Sequence, residues 1–261
     1  MNDKKYIFFD IDHTLVSHVN KPHIPNETRE AIKLLKAHGH VPAIATGRAS
    51  FLTFTTANEF DIDYIVCSGG AEIFVKGKEI YTEYFPDEHL KKFYETAKNF
   101  PELTAAAGKK FLYTDTNSKD IKNYFNGQAG YDCIRNINEM EEILMCYIML
   151  PHKNLNSEHG IFYEPPEGLR LEIMNGFTEA RHEKTSKWRG IELLIEHEHA
   201  NINDVITFGD GANDVEMLQN ANIGVAVKKS SEKAQEAADF ICGDIDDGGV
   251  LKACYELGLL S

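Results

Sequence analysis

The stretch Tyr6–Val16, YIFFDIDHTLV, decides the fold. Tyr6 to Phe9 are apolar or aromatic and run directly into Asp10-Ile11-Asp12. A short, continuously apolar run bounded by polar residues suits a strand buried on both faces, as in a parallel sheet. Ligands of open α/β sheets gather beyond the carboxyl ends of the strands. This strand end carries two carboxylates with Ile11 between them. Alternation along an extended chain aims them differently, so one could attack while the other handles a proton. A strand followed by an Asx-type turn would show the same triplet. Asp-x-Asp alone leaves both readings open.

Outward from that strand, Asn26 reads as the cap of a helical pattern, ETREAIKLLKAHG, stopped by Gly39. Val41–Ala45 predicts a second buried strand ending at Thr46-Gly47-Arg48, and a weaker helix covers Ser50–Glu59. Tyr64–Cys67 predicts a third strand, ending in Ser68-Gly69-Gly70. Strands alternating with helices at this spacing indicate βαβ units and a parallel sheet.

The pattern then changes. A hairpin is expected from Ala71–Val75 and Glu79–Thr82, and Asp87 is expected to cap a helix running to about Phe100. Short mixed elements follow: an aromatic stretch at Phe111–Tyr113 and helices near Ser118–Phe125 and Asn138–Leu144. Strands are expected at Met145–Leu150, Gly160–Tyr163 and Leu169–Met174. Glu172 reads as an acceptor for hydroxyl groups of a ligand or as a solvated strand charge. The run from Asn175 to Lys184, with Arg181 and His182, reads as a surface loop or as a segment reaching the mouth of a site.

Alternation resumes with a helix over Trp188–Glu198, a strand over Asp204–Phe208, and Gly209-Asp210. A helix carrying Met217 and Leu218, a strand at Ile223–Val227 and a last helix at Val250–Leu257 complete the chain. The expected fold class is therefore α/β. A doubly wound parallel-sheet core would comprise residues 1–82 and 184–261, with 83–183 inserted as an α+β domain.

Composition narrows the partners. The 261 residues are 43% hydrophobic and 26% charged, as in an ordinary globular protein. A net charge of −14 argues against nucleic acid, which calls for a basic face, and means that any phosphate site needs a local cation. In MNDKKYIFFDID the acids come too early for a secretory signal, and Ile143–Leu150 is too short to span a bilayer. Five scattered cysteines without a C-x-x-C pair suit the reduced thiols of a cytoplasm. These features predict a cytoplasmic monomer or weak homo-oligomer with no membrane or nucleic-acid partner.

The core offers four polar stations: Asp10/Asp12, Thr46-Gly47-Arg48, Lys187, and Gly209-Asp210-Gly211-Ala212-Asn213-Asp214. Strand ends of one parallel sheet converge on one rim, so these segments can meet. Four like charges at Asp10, Asp12, Asp210 and Asp214 would be costly. A hard divalent cation resolves that cost, and oxygen-only ligands point to Mg²⁺. An acidic cup with one hydroxyl and one lysine suits phosphoryl transfer, which depends on positioning and charge neutralisation.

With these motifs in order, the chain resembles the haloacid-dehalogenase (HAD) superfamily, and within it the Cof-type phosphatases with a large inserted cap. Asp10-Ile11-Asp12-His13-Thr14 is similar to the first motif, Thr46 within ATGR to the second, Lys187 to the third, and GDGANDVEML to the fourth. The resemblance implies a phosphatase of small phosphorylated metabolites, with sugar phosphates foremost. It implies Asp10 as nucleophile, Asp12 as acid and base, and Mg²⁺ held by Asp10, the main-chain carbonyl of Asp12, and Asp210, with Asp214 nearby. Thr46, Gly47, Lys187 and Asn213 would bind or position the phosphoryl group. His13 replaces the family's usual glycine, either as a tolerated substitution, since histidine is among the less penalised residues if the position needs φ > 0, or as a contact to the substrate. Rival readings are a sugar phosphomutase of the same superfamily and a non-catalytic phosphate sensor.

Overall fold

The computed structural model describes residues 4–114, 121, 133–174 and 176–260. Five strands come first: β1 (Tyr6–Phe9), β2 (Val41–Ala45), β3 (Tyr64–Cys67), β4 (Glu72–Val75) and β5 (Lys78–Thr82). Six more follow as β6 (Thr104–Gly108), β7 (Leu112–Thr114), β8 (Ile134–Asn136), β9 (Ile143–Ile148), β10 (Leu169–Ile173) and β11 (Thr178–His182). The last three are β12 (Val205–Gly209), β13 (Ile223–Val227) and β14 (Phe240–Cys242).

One sheet has the order β14-β13-β12-β1-β2-β3-β4-β5. Its pairs from β14 to β3 are parallel, and β4 returns antiparallel to β3. The chain therefore starts in mid-sheet, winds one way through β2 and β3, and later returns on the other flank of β1. Such a reversal opens a crevice at the strands' carboxyl ends. Ile7, Phe8 and Phe9 are fully buried, as their unbroken apolar run predicts. On one face Phe8, Ala43, Ala45 and Val66 pack with Trp188, Ile191 and Leu194 of the helix Lys187–His197. Trp188 is thus a core aromatic.

The second sheet has the order β10-β11-β9-β6-β7-β8. Phe93 and Ala97 of the helix Asp87–Asn99 join Ala106, Tyr113, Cys146, Ile148 and Ala180 in its core. The chain divides into two compact units, one of residues 1–47, 55–81 and 186–261, the other of 48–54 and 82–185. The segment 48–54 groups with the second unit, where Ser50 Oγ donates to the Lys109 carbonyl at 3.3 Å.

Several expectations need correction. Asn26 and Asp87 each open their helix and do not cap it, because Pro25 and Pro86 occupy the flanking positions. Asn138–Leu144 is not a helix: a single 3₁₀ turn over Ile137–Glu139 gives way to β9. Gly160–Tyr163 is not a strand, since Ser157–Phe162 is a 3₁₀ segment with Gly160 at φ 56°. Thr178–His182 is no loop but an inner strand, and Arg181 is 2% exposed within it. Its guanidinium bonds to Glu172 and, at 3.1 Å, to Glu179. Glu172 is therefore an ion-paired strand residue, neither solvated nor unengaged. The helix expected near Ser118–Phe125 lies outside the described residues, except for Ile121.

Candidate active site

β1 sets Asp10 one residue beyond the register pairs Phe9↔Phe208 and Phe9↔Ile44. The Asp10 N–H donates to the Phe208 carbonyl at 2.9 Å, so the nucleophile candidate continues the ladder between β1 and β12. Thr46 follows β2 and is 1% exposed; its N–H donates to Val66 and its carbonyl accepts from Gly69. Gly47 lies beside Asn213: a Cβ there would stand 3.7 Å from Asn213 Nδ2.

Lys187 begins its helix, which Ser186 caps by accepting the Arg189 N–H at 3.0 Å. Close packing delivers it. A Cβ on Gly70 would stand 2.0 Å from the Ser186 carbonyl oxygen, and one on Gly190 would stand 2.4 Å from Val66 Cγ1. The two glycines therefore let the helix start approach the end of β3. Lys187 Nζ donates to Asp10 Oδ1 at 2.7 Å and to Asp214 Oδ1 at 2.6 Å, and the lysine is 1% exposed.

Asp214 is fully buried, and its Oδ2 accepts the Asp210 and Gly211 N–H groups at 2.9 and 2.8 Å. It thus ties the loop after β12 to the lysine. Asp210 Oδ1 accepts from Thr14 Oγ1 at 3.2 Å. Asp10, Asp210 and Asp214 each offer a carboxylate oxygen, and these lie within 4.8 Å of one another. The Asp12 side chain is engaged elsewhere, with its Oδ1 at 2.7 Å from His18 Nε2.

The electrostatics follow from burial. Desolvation pushes Asp10 up to about 7, against the pull of Lys187 and with added repulsion from Asp214 and Asp12. Desolvation and the charges of Asp10 and Asp214 push Asp210 up to about 8. Burial works to lower Lys187, but Asp10 and Asp214 outweigh it and the net shift is upward. Two carboxyls that hold protons near neutrality, in an oxygen-only donor set, fit a hard divalent cation.

Of the eight predicted site residues, Asp10, Lys187, Asp210 and Asp214 form one bonded and charged cluster. Asp12 adjoins the cluster in sequence, while Thr46 and Gly47 follow the neighbouring strand. His13 adopts φ 60°, so the position does take the left-handed conformation that would favour the glycine it replaces. Thr14 and His18 were missed as contacts. Thr14 could have been found as the hydroxyl directly after Asp10-Ile11-Asp12-His13, but nothing in the sequence marks His18. The acids Asp244–Asp247 form a turn capped by Asp244, whose Oδ1 accepts the Asp246 N–H at 3.1 Å.

A crevice at a reversal in strand order, with an aspartate nucleophile candidate bound to a buried lysine, is an arrangement of an α/β protein suited to phosphoryl transfer. Residues 7–254 match the family model of haloacid dehalogenase-like hydrolases, and the chain belongs to that family. It is an enzyme of the HAD phosphatase class. A Bacillus subtilis relative named "Putative phosphatase YkrA" is 27% identical over 266 residues, covering 99% of each chain. The solved structure of the HAD subclass IIB sugar phosphatase BT4131 superposes with a TM-score of 0.83 at 26% identity, covering 98% of this chain and 100% of the other. Another, from a phosphoryl-transfer superfamily with a conserved trigonal-bipyramidal intermediate, gives 0.86 at 25% identity and the same coverage. Among the described residues no helix is long and apolar enough to cross a membrane.

Proposed function

We propose that this phosphatase hydrolyses small phosphomonoesters, sugar phosphates foremost, through an aspartyl-phosphate on Asp10 with Mg²⁺ as cofactor. The observation that carries this reading is the Asp10 carboxylate at 2.7 Å from a buried lysine at the carboxyl end of β1. The likeness to a sugar phosphatase supports the substrate class. Residues 83–183 would form the cap that selects the substrate, since every core motif lies outside them.

In the first step a carboxylate oxygen of Asp10 forms a bond to phosphorus as the bond to the leaving oxygen breaks. Asp12 gives its proton to that oxygen. In the second step Asp12 takes a proton from water, whose oxygen attacks phosphorus and releases Asp10. Lys187 holds Asp10 and offsets phosphoryl charge, while Thr46, Gly47 and Asn213 bind phosphoryl oxygens. Asp10, Asp210 and the Asp12 carbonyl would hold Mg²⁺, with Asp214 bracing Lys187 and the loop. When bound, the cation supplies charge neutralisation for the carboxylates and the phosphoryl group.

Phosphate release from a panel of sugar phosphates, with and without Mg²⁺, tests the reading. Release from several sugar phosphates that stops on chelation is expected. Isomerised sugar phosphate without release would indicate a mutase, and undiminished activity after exhaustive chelation would remove the cation from the scheme.

The raised carboxyls add a pH signature. Because Asp10 and Asp210 lie above their ordinary value of 3.8, their contribution to the stability of the cation-free protein is full below about pH 4. That contribution fades as pH rises through 7 and 8, where the buried groups must ionise. A cation binds the ionised form, so Mg²⁺ should raise Tm more at pH 8 than at pH 6 and should release protons on binding. Asp210→Asn should weaken this response more than Asp214→Asn, whose oxygens already accept three hydrogen bonds. Melting curves at the two pH values check the first point, and calorimetry in buffers of different ionisation enthalpy checks the second. Equal shifts with no proton release would refute it.

A further inference from the structure

The contact between His18 and Asp12 lies outside the lysine-centred cluster. Nε2 and Oδ1 are 2.7 Å apart, and the two side chains are 29% and 31% exposed. A bond so open to water adds little to stability, so its presence calls for another reason.

The backbone around it is tied down on several sides. His13 N–H donates to the Val16 carbonyl at 2.8 Å, closing a tight turn with His13 at φ 60°. Ser17 and His23 then exchange N–H···O bonds of 2.8 and 3.0 Å, closing a small loop with His18 at its start. Ser17 Oγ donates to Asp246 Oδ2 at 2.9 Å, and His23 Nε2 lies 3.4 Å from Asp246 Oδ1. The turn carrying Asp246 thus anchors both ends of the loop. The rings of His13 and His18 meet with centroids 4.6 Å apart. The His18 imidazole therefore sits between a ring and a carboxyl, on an anchored loop.

We propose that His18 is a positioning residue for Asp12: its Nε2–H, donated to Oδ1, fixes the rotation of the carboxyl. With Oδ1 engaged as an acceptor, the transferable proton belongs on Oδ2. That proton goes to the leaving oxygen in the first step, and Oδ2 recovers one from water in the second. The inference rests on Asp12 being the acid and base of the proposed phosphatase reaction. General acid–base catalysis contributes about 10²–10⁴-fold, and its benefit depends on hydrogen-bond geometry. A carboxyl without its holding bond should lose part of that factor.

The test compares kcat/KM on two aryl phosphates, because 4-nitrophenolate leaves without needing a proton and phenolate does not. His18→Phe keeps a planar ring against His13 but has no donor, and His18→Leu removes both. His18→Gln returns an N–H donor on a flexible chain. With either donor-less variant, the loss of kcat/KM on phenyl phosphate should exceed that on 4-nitrophenyl phosphate by about tenfold, a fraction of the general-acid factor. His18→Gln should recover most of the difference. In an Asp12→Ala background His18→Phe should add no further difference, since it acts through Asp12. Equal losses on both substrates, no loss on either, or no recovery by glutamine would overturn the proposal. A parent enzyme that releases phosphate from neither ester would instead overturn the phosphatase reading, and this inference with it.

Discussion

Asp10→Asn should lower kcat by at least about 10⁴-fold, the scale expected when a covalent nucleophile is removed. In the proposed reaction an amide cannot take the part of the carboxylate that would form the acyl phosphate, and it differs too little in volume to disturb packing. Lys187 would keep its bond to Asp214 Oδ1 at 2.6 Å, so the buried ammonium retains a counter-charge. The desolvation that pushes Asp10 up to about 7 disappears with a neutral side chain. The variant should therefore melt no lower than the parent in the absence of a cation. Acid quenching of the parent during turnover of a phosphorus-labelled substrate, followed by peptide mapping, should place the label on Asp10. Label on any other residue would assign the nucleophile elsewhere.

The parts of this site legible in the sequence are those that strand ends deliver. Tyr6–Phe9 is buried on both faces, so its apolar run has no polar interruption and the following aspartates stand out. The same holds for Val41–Ala45 before Thr46 and for Val205–Gly209 before Asp210. In the second sheet β9 and β10 are legible, but β6 and β11 are hidden for identifiable reasons. β6 reads Thr-Ala-Ala-Ala-Gly, without β-branched or aromatic residues after its first position. β11 reads Thr-Glu-Ala-Arg-His and looks solvent-facing, yet Glu179 and Arg181 are buried together as an ion pair. A hydrophobicity pattern cannot register a charge that is buried because it is paired. His18 was hidden differently, since its contact depends on a turn at His13 that only the folded backbone shows. Lys187 is legible as a point positive charge opening a helix, and the resemblance to a family motif points to the same residue; its bonds to two aspartates appear only in the folded chain.

Lys187→Met should lower both stability and activity, by separable routes. The ammonium is 1% exposed and joins Asp10 to Asp214 at 2.7 and 2.6 Å. Methionine has similar length and fills the space, so the loss is chiefly electrostatic. Breaking a buried pair from one side costs about 3–5 kcal/mol, because an uncompensated charge is left behind. Here two carboxylates would be left, with Asp210 within 4.8 Å of both. For a chain of this size the loss corresponds to a fall in Tm on the order of 10 °C. Asp10 and Asp210 already lie at about 7 and 8 with Lys187 pulling them down, so without the lysine they take up protons more readily still and the deficit should be smaller at pH 6 than at pH 8. Mg²⁺ should likewise restore part of the stability, since it offsets the same carboxylates. Activity should not follow. Removal of a preorganised charge from the reacting group costs about 10²–10³-fold in kcat, and a cation on the carboxylates cannot replace a donor on Asp10 Oδ1. Lys187→Arg should fail as well, because a planar guanidinium does not present the single point charge that these two oxygens converge on. Melting curves and kcat for both variants, at pH 6 and 8 with and without Mg²⁺, separate the two routes. Recovery of activity in step with stability would mean that Lys187 acts only by holding the acidic cluster together.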